Sequence, residues 1–128
     1  MKIGNNTDKL NLDNINAKAF NELKTNIEFL AKEGGSKAIM VASASRCEGR
    51  TTTAAYLSIV LAKAAEKTIL IDCDQKNSAI HNIFNLQNDK GLVDILSQEI
   101  KYEEGVKPTN EENLFVLTAG SKDRRAHV

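Results

Sequence analysis

The feature that most constrains the fold of this chain is a polar loop between a short apolar run and a helical pattern. The apolar run covers residues 38–43, the loop covers residues 44–52, and the helical pattern extends over residues 51–65. A short apolar run bounded by turn signals is typical of a buried strand, and apolar residues three and four positions apart are typical of an amphipathic helix. The sequence therefore predicts a strand, a loop and a helix in that order.

The same alternation continues along the chain. An amphipathic helix is predicted for residues 14–31, and apolar runs at residues 68–72 and 114–117 enclose short helical patterns near residues 80–84 and 92–96. Continuous apolar strands that alternate with helices indicate a parallel sheet covered on both faces, with ligands at the carboxyl ends of the strands. We therefore predict an α/β fold in which the strands at residues 38–43, 68–72 and 114–117 run parallel.

Composition and charge are typical of one soluble domain. The chain has 128 residues, of which 41% are hydrophobic, and its 17 basic residues balance 17 acidic ones. No global charge attracts nucleic acid or anionic lipid, so we expect no nucleic-acid partner. The longest apolar run is far shorter than the ~20 residues of a membrane-spanning helix. Residues 1–13 form a polar leader without the apolar centre of a secretory signal, which favours a cytoplasmic location.

The loop partly matches a phosphate-binding pattern, G-x-x-x-x-G-K-[ST]. In that pattern backbone N–H groups surround phosphate, the lysine reaches the β- and γ-phosphates, and the hydroxyl ligates magnesium. Gly49 and Thr51 are in register, whereas Arg50 occupies the lysine position. Arginine keeps the charge but changes its geometry, so binding is expected to survive better than catalysis. The predicted phosphate-binding residues are Ser45, Arg46, Cys47, Glu48, Gly49, Arg50, Thr51 and Thr52. An ordinary loop that caps a helix is the alternative.

Two carboxylates, Asp72 and Asp74, follow the second predicted strand. At the end of a buried strand they would hold magnesium through water and accept a proton from an attacking hydroxyl. This interpretation assigns catalysis to Asp72, Asp74 and Arg50, and magnesium to Thr51 and Asp72. The alternative is a solvated strand end with turn-forming aspartates.

Together these segments resemble the bacterial tyrosine kinases (BY-kinases) of the CpsD/CapB type, P-loop proteins of capsule and exopolysaccharide synthesis. The resemblance covers residues 15–120 and is carried by residues 24–27, 48–52, 72–74, 80–84, 91–97 and 113–120. It implies a P-loop NTPase-type parallel sheet flanked by helices, with ATP and Mg²⁺ as cofactors and protein tyrosines as substrates. It also implies a partner, a transmembrane polysaccharide chain-length or export activator, which would hold the chain at the inner face of the membrane.

The chain also departs from the family pattern. The family's Pro-Gly ahead of the loop is Arg46-Cys47 here, and a third essential aspartate on a later strand has no counterpart. The family's C-terminal tyrosine cluster is absent as well. We therefore expect a nucleotide-binding domain at residues 14–120, incomplete at its C-terminus, followed by a polar tail at residues 121–128. Weak or absent phosphate transfer is the expected consequence.

The family's self-assembly motif, Glu-x-x-Arg-x-x-Arg on the first helix, is replaced by Lys18, Asn21 and Lys24. Ring-like homo-oligomers are therefore not expected. Of the two tyrosines, Tyr56 lies on a packing helix, so Tyr102 is the better surface candidate for accepting phosphate.

Two other functions are compatible with the sequence. One is a truncated, catalytically inactive module that binds nucleotide or only the membrane partner, which the altered loop and the early end of the family pattern favour. The other is an ATPase of the MinD/ParA type. That type has a second lysine near the start of the phosphate loop, and Ala44 and Ser45 do not supply one.

Overall fold

The computed structural model describes residues 15–30, 38–42, 50–64 and 66–121. The leader at residues 1–13 and most of the tail, residues 122–128, lie outside the described residues. The helices are α1 (Ile15–Leu30), α2 (Arg50–Lys63), α3 (Ile80–Ile83), α4 (Leu92–Leu96) and α5 (Tyr102–Gly105), and the strands are β1 (Thr68–Ile71), β2 (Val106–Pro108) and β3 (Leu114–Leu117). No helix in these ranges has the length and apolar character needed to cross a membrane.

The strands form a sheet in the order β1-β3-β2. β1 runs parallel to β3, and Thr68 is opposite Leu114 while Ile71 is opposite Leu117. This confirms the predicted parallel pairing of the second and last apolar runs. β2 pairs with β3 in the antiparallel direction, with Val106 opposite Leu117. The sheet is therefore mixed, and β2 is a strand that the apolar pattern did not predict.

The strand predicted for residues 38–43 is not formed. Residues 38–42 have neither helix nor strand structure, and residue 43 lies outside the described residues. Ile39 is 48% exposed and Met40 is 88% exposed. An apolar run becomes a strand only where a neighbouring strand pairs its backbone groups and another layer buries its side chains. Neither condition is met at residues 38–42, so the prediction for this segment was wrong.

The main core lies between α2 and one face of the sheet. Its buried side chains come from α2, from α3 with the residue after it, and from β3: Ala55, Tyr56, Ile59, Ala62, Ile80, Phe84, Leu114 and Val116. Helix α1 adds Phe20, whose ring stacks on Tyr56 with 4.7 Å between ring centroids. Burying this apolar surface supplies the principal stabilisation of the fold.

The opposite face of the sheet is covered unevenly. Leu117 is buried on this face, and a Cβ added to Gly105 of α5 would lie 3.1 Å from its methyl group. On β1, however, Ile69 is 41% exposed and Ile71 is 48% exposed. The expectation of a sheet covered on both faces is therefore met at the carboxyl end of β3 but not at β1.

The position of the core can be tested by truncating one leucine. Leu114 is 1% exposed, so Leu114→Ala is expected to lower the free energy of unfolding by about 2–5 kcal/mol. Leu96 is 56% exposed, and the matched variant Leu96→Ala is expected to change it by less than about 0.5 kcal/mol. Urea denaturation followed by circular dichroism measures both values. Equal losses in the two variants would contradict this placement of the core.

Candidate functional site

Asp72 lies at the carboxyl end of β1, where the sequence placed it. Its backbone N–H donates to the carbonyl oxygen of Leu117 at 3.0 Å, so the pairing with β3 continues one residue past β1. The residue is only 5% exposed. A buried carboxylate is costly unless hydrogen-bond donors surround it. The atoms that contact its two oxygens therefore decide what Asp72 can do.

Backbone N–H groups contact both carboxylate oxygens of Asp72. Oδ1 accepts from Asp74 at 3.0 Å, and Oδ2 accepts from Ala79 at 3.1 Å and from Ile80 at 3.2 Å. Ile80 is the first residue of α3, so the carboxylate satisfies donors that the start of a helix leaves unpaired. Hydrogen bonds to an ionised acceptor are stronger than neutral ones. Asp72 thus fixes the loop of residues 72–80 between β1 and α3.

Asp74 is held inside this loop. Its N–H is bound by Asp72, and its own Oδ1 accepts the N–H of Asn77 at 3.0 Å. The residue is half-buried, between exposed Cys73 and half-buried Gln75. A carboxylate that is positioned by its neighbour and still reached by solvent has the geometry needed to bind a cation or accept a proton.

Helix α2 runs antiparallel to the neighbouring strands. Lys63, its last residue, forms a 3.0 Å ion pair with Glu111. The carbonyl oxygen of Glu111 accepts the N–H of Leu114, at the amino end of β3. Because one end of α2 lies beside the amino end of β3, its other end, at Arg50, lies toward the carboxyl ends of β1 and β3. The start of α2 and the aspartate pair therefore occupy the same edge of the sheet.

The predicted phosphate-binding residues fall in two groups. Thr51 is half-buried and Thr52 is exposed, both in the first turn of α2, and the backbone of Arg50 begins the helix. The side chain of Arg50 lies outside the description, as do the remaining predicted residues, Ser45, Arg46, Cys47, Glu48 and Gly49. The structure thus brings the start of α2 and the aspartates to one edge of the sheet. That the preceding loop also lies close to Asp72 stays a prediction.

Sequence reasoning missed a second buried carboxylate at this edge. Asp94 is 0% exposed, and its Oδ2 accepts the N–H of Gly91 at 2.8 Å and of Ser121 at 3.1 Å. Gly91 is packed against the backbone at Thr118, where an added Cβ would collide with the carbonyl oxygen. The signal that could have revealed this corner is an acidic residue three positions after Gly91 at the start of a predicted helix, where a carboxylate can accept the N–H of the residue that precedes the helix.

The corner around Asp94 also orders a lysine. Lys107 of β2 donates from Nζ to the carbonyl oxygens of Lys90 and Gly105. Burial lowers the pKa of Lys107, and the nearby carboxylates of Asp89 and Asp94 oppose that shift. Together, the hydrogen bonds of Asp94 and Lys107 connect α4, β2 and the segment after β3, which indicates a structural role for Asp94.

Among the described residues, no group of three or more His, Cys, Asp and Glu side chains is gathered closely enough to hold a metal ion. A magnesium ion at Asp72 and Asp74 would therefore need oxygen ligands from phosphate and water, which is usual for Mg²⁺. From the described residues, Oδ1 of Asp72 accepts one hydrogen bond and Oδ2 accepts two. A carboxylate oxygen has two lone pairs, so the described contacts leave one lone pair of Oδ1 for a magnesium-bound water.

Comparison with known proteins decides the family. The model of the AAA domain family matches residues 36–125. The chain is 38% identical over 106 residues to the tyrosine-protein kinase YwqD of Bacillus subtilis, a match that covers 83% of this chain and 45% of the relative. It is 34% identical over 101 residues to the putative tyrosine-protein kinase CapB of Staphylococcus aureus, covering 79% of this chain and 44% of the relative. The chain belongs to the AAA domain family, and these relatives make it a member of the bacterial tyrosine kinases.

Solved structures of this family share the fold. The chimerical protein CapA2B2 superimposes with a TM-score of 0.78 at 32% identity, covering 86% of this chain and 48% of the other. The kinase domain of the Escherichia coli tyrosine kinase ETK superimposes with a TM-score of 0.76 at 25% identity, covering 81% of this chain and 41% of the other. The chain thus spans less than half the length of these bacterial tyrosine kinase relatives.

The positioning role of Asp72 can be separated from that of Asp74 by matched substitutions. Asp72→Asn replaces one acceptor oxygen with a donor and leaves at least one backbone N–H of the loop unpaired. We expect it to lower the free energy of unfolding by about 1–3 kcal/mol and to speed amide hydrogen exchange at residues 74, 79 and 80. Asp74→Asn keeps an oxygen for Asn77 and is expected to cost less than about 0.5 kcal/mol.

Urea denaturation and hydrogen exchange read by mass spectrometry measure both effects. If Asp74→Asn loosened the loop as much as Asp72→Asn does, the positioning role of Asp72 would be wrong.

Proposed function

We propose that the chain forms the ATP- and magnesium-binding part of a protein-tyrosine kinase of capsule or exopolysaccharide synthesis. The observation that carries this proposal is the Asp72–Asp74 pair at the end of β1, at the same sheet edge as the start of α2. Membership of the bacterial tyrosine kinases supports the choice of substrate class. The carboxyl edge of a sheet is also where α/β proteins bind nucleotides.

In this proposal the first turn of α2 binds the phosphates. The unpaired N–H groups at the start of a helix and its positive dipole end favour an anion. Arg50 would supply a positive charge, and the hydroxyl of Thr51 would be a magnesium ligand. Ser45, Arg46, Cys47, Glu48, Gly49 and Thr52 complete the proposed phosphate-binding set. Magnesium would neutralise charge on the phosphate oxygens.

The two aspartates have different proposed roles. Asp74, half-buried and solvent-accessible, is placed to accept the proton of an attacking tyrosine hydroxyl. Asp72 holds Asp74 and the start of α3 in position, and its Oδ1 contributes to magnesium through water. Phosphoryl transfer depends on positioning and on electrostatic stabilisation, so a fixed loop at this edge is the contribution that the protein has to make.

A catalytically weak nucleotide- or partner-binding module is the second candidate. Arg50 in place of the loop lysine favours it, because a planar guanidinium cannot reproduce the contact of a compact ammonium. An ATPase of the MinD/ParA type has less support, since the relatives described above are tyrosine kinases.

We expect the 128-residue chain to bind ATP and to transfer little phosphate to a tyrosine-rich peptide. Arg50→Lys is expected to tighten ATP binding by about tenfold, which corresponds to ~1.4 kcal/mol, while turnover rises less. Calorimetry with ATP and Mg²⁺ measures affinity, and radiolabelled ATP measures transfer. Removing one preorganised electrostatic contact typically lowers turnover by ~100- to 1000-fold, so Asp74→Asn should abolish any residual labelling.

Two results would change this view. Robust labelling by the unmodified chain that Asp74→Asn removes would show a fully active kinase. Absence of ATP binding in both the unmodified chain and Arg50→Lys would exclude a nucleotide site.

A membrane partner is the remaining part of the proposal. The family resemblance suggests that the chain acts at the inner face of the membrane, docked on the cytoplasmic tail of a transmembrane polysaccharide chain-length or export protein. We expect the chain to co-purify with that tail, and the tail of an unrelated membrane protein is the control. If no complex forms either with or without ATP, the proposed interaction with the membrane partner is wrong.

A further inference from the structure

Asn88 joins two parts of the carboxyl edge of the sheet that are far apart in sequence. It is half-buried and lies in the connection between α3 and α4. Its Oδ1 accepts the N–H of Gly120 at 2.7 Å, and its Nδ2 donates to Oγ of Ser78 at 3.4 Å. Because a backbone N–H requires an acceptor, the contact with Gly120 fixes the orientation of the amide. One side chain therefore contacts both the loop of residues 72–80 and the segment that follows β3.

The segment on the Gly120 side is held by several hydrogen bonds. The carbonyl oxygens of residues 118 and 119 accept N–H groups from the start of α4, and the N–H of Ser121 donates to Asp94. Gly120 is buried with a φ of 108°, and an added Cβ would lie 2.7 Å from Oδ2 of Asp94. This segment therefore offers Asn88 a fixed point of attachment.

On the other side, Ser78 lies between two residues whose N–H groups the aspartates bind. The N–H of Asn77 donates to Oδ1 of Asp74 at 3.0 Å. The N–H of Ala79 donates to Oδ2 of Asp72 at 3.1 Å. Peptide units are planar and nearly rigid, so a displacement of Ser78 also displaces the N–H groups next to it. The contact at Ser78 therefore acts on the hydrogen bonds that orient both carboxylates.

We propose that Asn88 is a positioning residue of the candidate site. It holds the loop of residues 72–80 against the segment that follows β3, and it thereby sets the position of Asp74 relative to bound phosphate and magnesium. This inference rests on the proposed function, which places the phosphates at the start of α2. A misplacement of about 1 Å can lower the rate of an enzyme by ~100-fold, so a side chain that touches no reactant can still affect the reaction.

Two alanine variants test the connection from its two ends. Asn88→Ala removes both contacts, whereas Ser78→Ala removes the contact with the loop and keeps the one with the segment after β3. We expect each to speed amide hydrogen exchange in the loop by about fivefold, which corresponds to ~1 kcal/mol for a neutral hydrogen bond. Nuclear magnetic resonance reads the amides of Asp74, Asn77 and Ala79. The double variant is expected to show less than the product of the two single effects, because both changes remove the same contact.

The gain in ATP affinity on adding Mg²⁺ separates positioning from a general loss of stability. In the proposed function the start of α2 binds the phosphates, and the aspartate loop contributes to magnesium. We expect Asn88→Ala to lower this gain by about fivefold and to leave ATP affinity without Mg²⁺ unchanged, as measured by calorimetry. Lys107→Met is the matched control, because it removes another side-chain contact of the connection between α3 and α4, the one with the carbonyl oxygen of Lys90. It is expected to leave both affinities unchanged.

Unchanged exchange at the three amides in Asn88→Ala overturns the inference, whether or not the chain binds ATP. Single effects that multiply in the double variant also overturn it, since Asn88 would then not act through Ser78. The same holds if the magnesium gain is unchanged in Asn88→Ala or falls equally in Lys107→Met. If the unmodified chain binds no ATP, the proposed function is wrong. Faster exchange in both alanine variants but not in Lys107→Met would then still support the positioning of the loop by Asn88.

Discussion

The parallel pairing of β1 with β3 is the interaction on which the rest of the structure depends. It aligns Thr68 with Leu114 and Ile71 with Leu117, and it continues through the N–H of Asp72. β3 then brings together elements that are distant in sequence: α2 packs against its buried face, and α4 binds the carbonyl oxygens of Thr118 and Ala119 beyond its end. A shift of this register by one residue would turn Leu114 and Val116 away from α2 and would separate Asp72 from this edge.

Two buried carboxylates have similar structural roles at that edge, because each accepts hydrogen bonds from backbone N–H groups. Asp72 accepts hydrogen bonds from backbone N–H groups after β1, and Asp94 accepts those of Gly91, which precedes α4, and of Ser121, which follows β3. Each ties the irregular backbone beyond a strand to the first turn of a short helix, where N–H groups have no partner within the helix. Because these carboxylates are engaged in holding backbone, the chemistry proposed for the edge falls mainly on Asp74, which a positioned loop presents to solvent.

Local patterns predicted helices α1 to α4, the parallel pair of strands and the position of the aspartates, because those features depend on apolar spacing within short segments; the short helix α5 was not predicted. β2 was not predicted, since Lys107 and Pro108 give a strand of three residues no apolar alternation. Proline cannot donate to a sheet and is confined to edge positions, which is where β2 lies. The opposite error occurred at residues 38–42, whose apolar sequence lacks a paired neighbour. The three N–H contacts of Asp72 depend on how the loop of residues 72–80 closes, which apolar spacing does not encode.

The two outer strands of the described sheet differ in how well their residue types suit an edge position. β2 carries Lys107 and Pro108, the kinds of residue that protect an edge from further pairing. β1 has the sequence Thr-Ile-Leu-Ile, which is typical of a strand buried on both faces, yet Ile69 and Ile71 are 41% and 48% exposed. Thr68 and Asp72 direct their N–H groups to β3, so Ile69 and Ile71 direct theirs to the outer side. Within the described part of the chain, Asp72 therefore terminates a strand that is paired along one side only. Since burial contributes little rigidity there, the geometry of the site depends on the pairing with β3 and on the backbone hydrogen bonds of the Asp72 carboxylate.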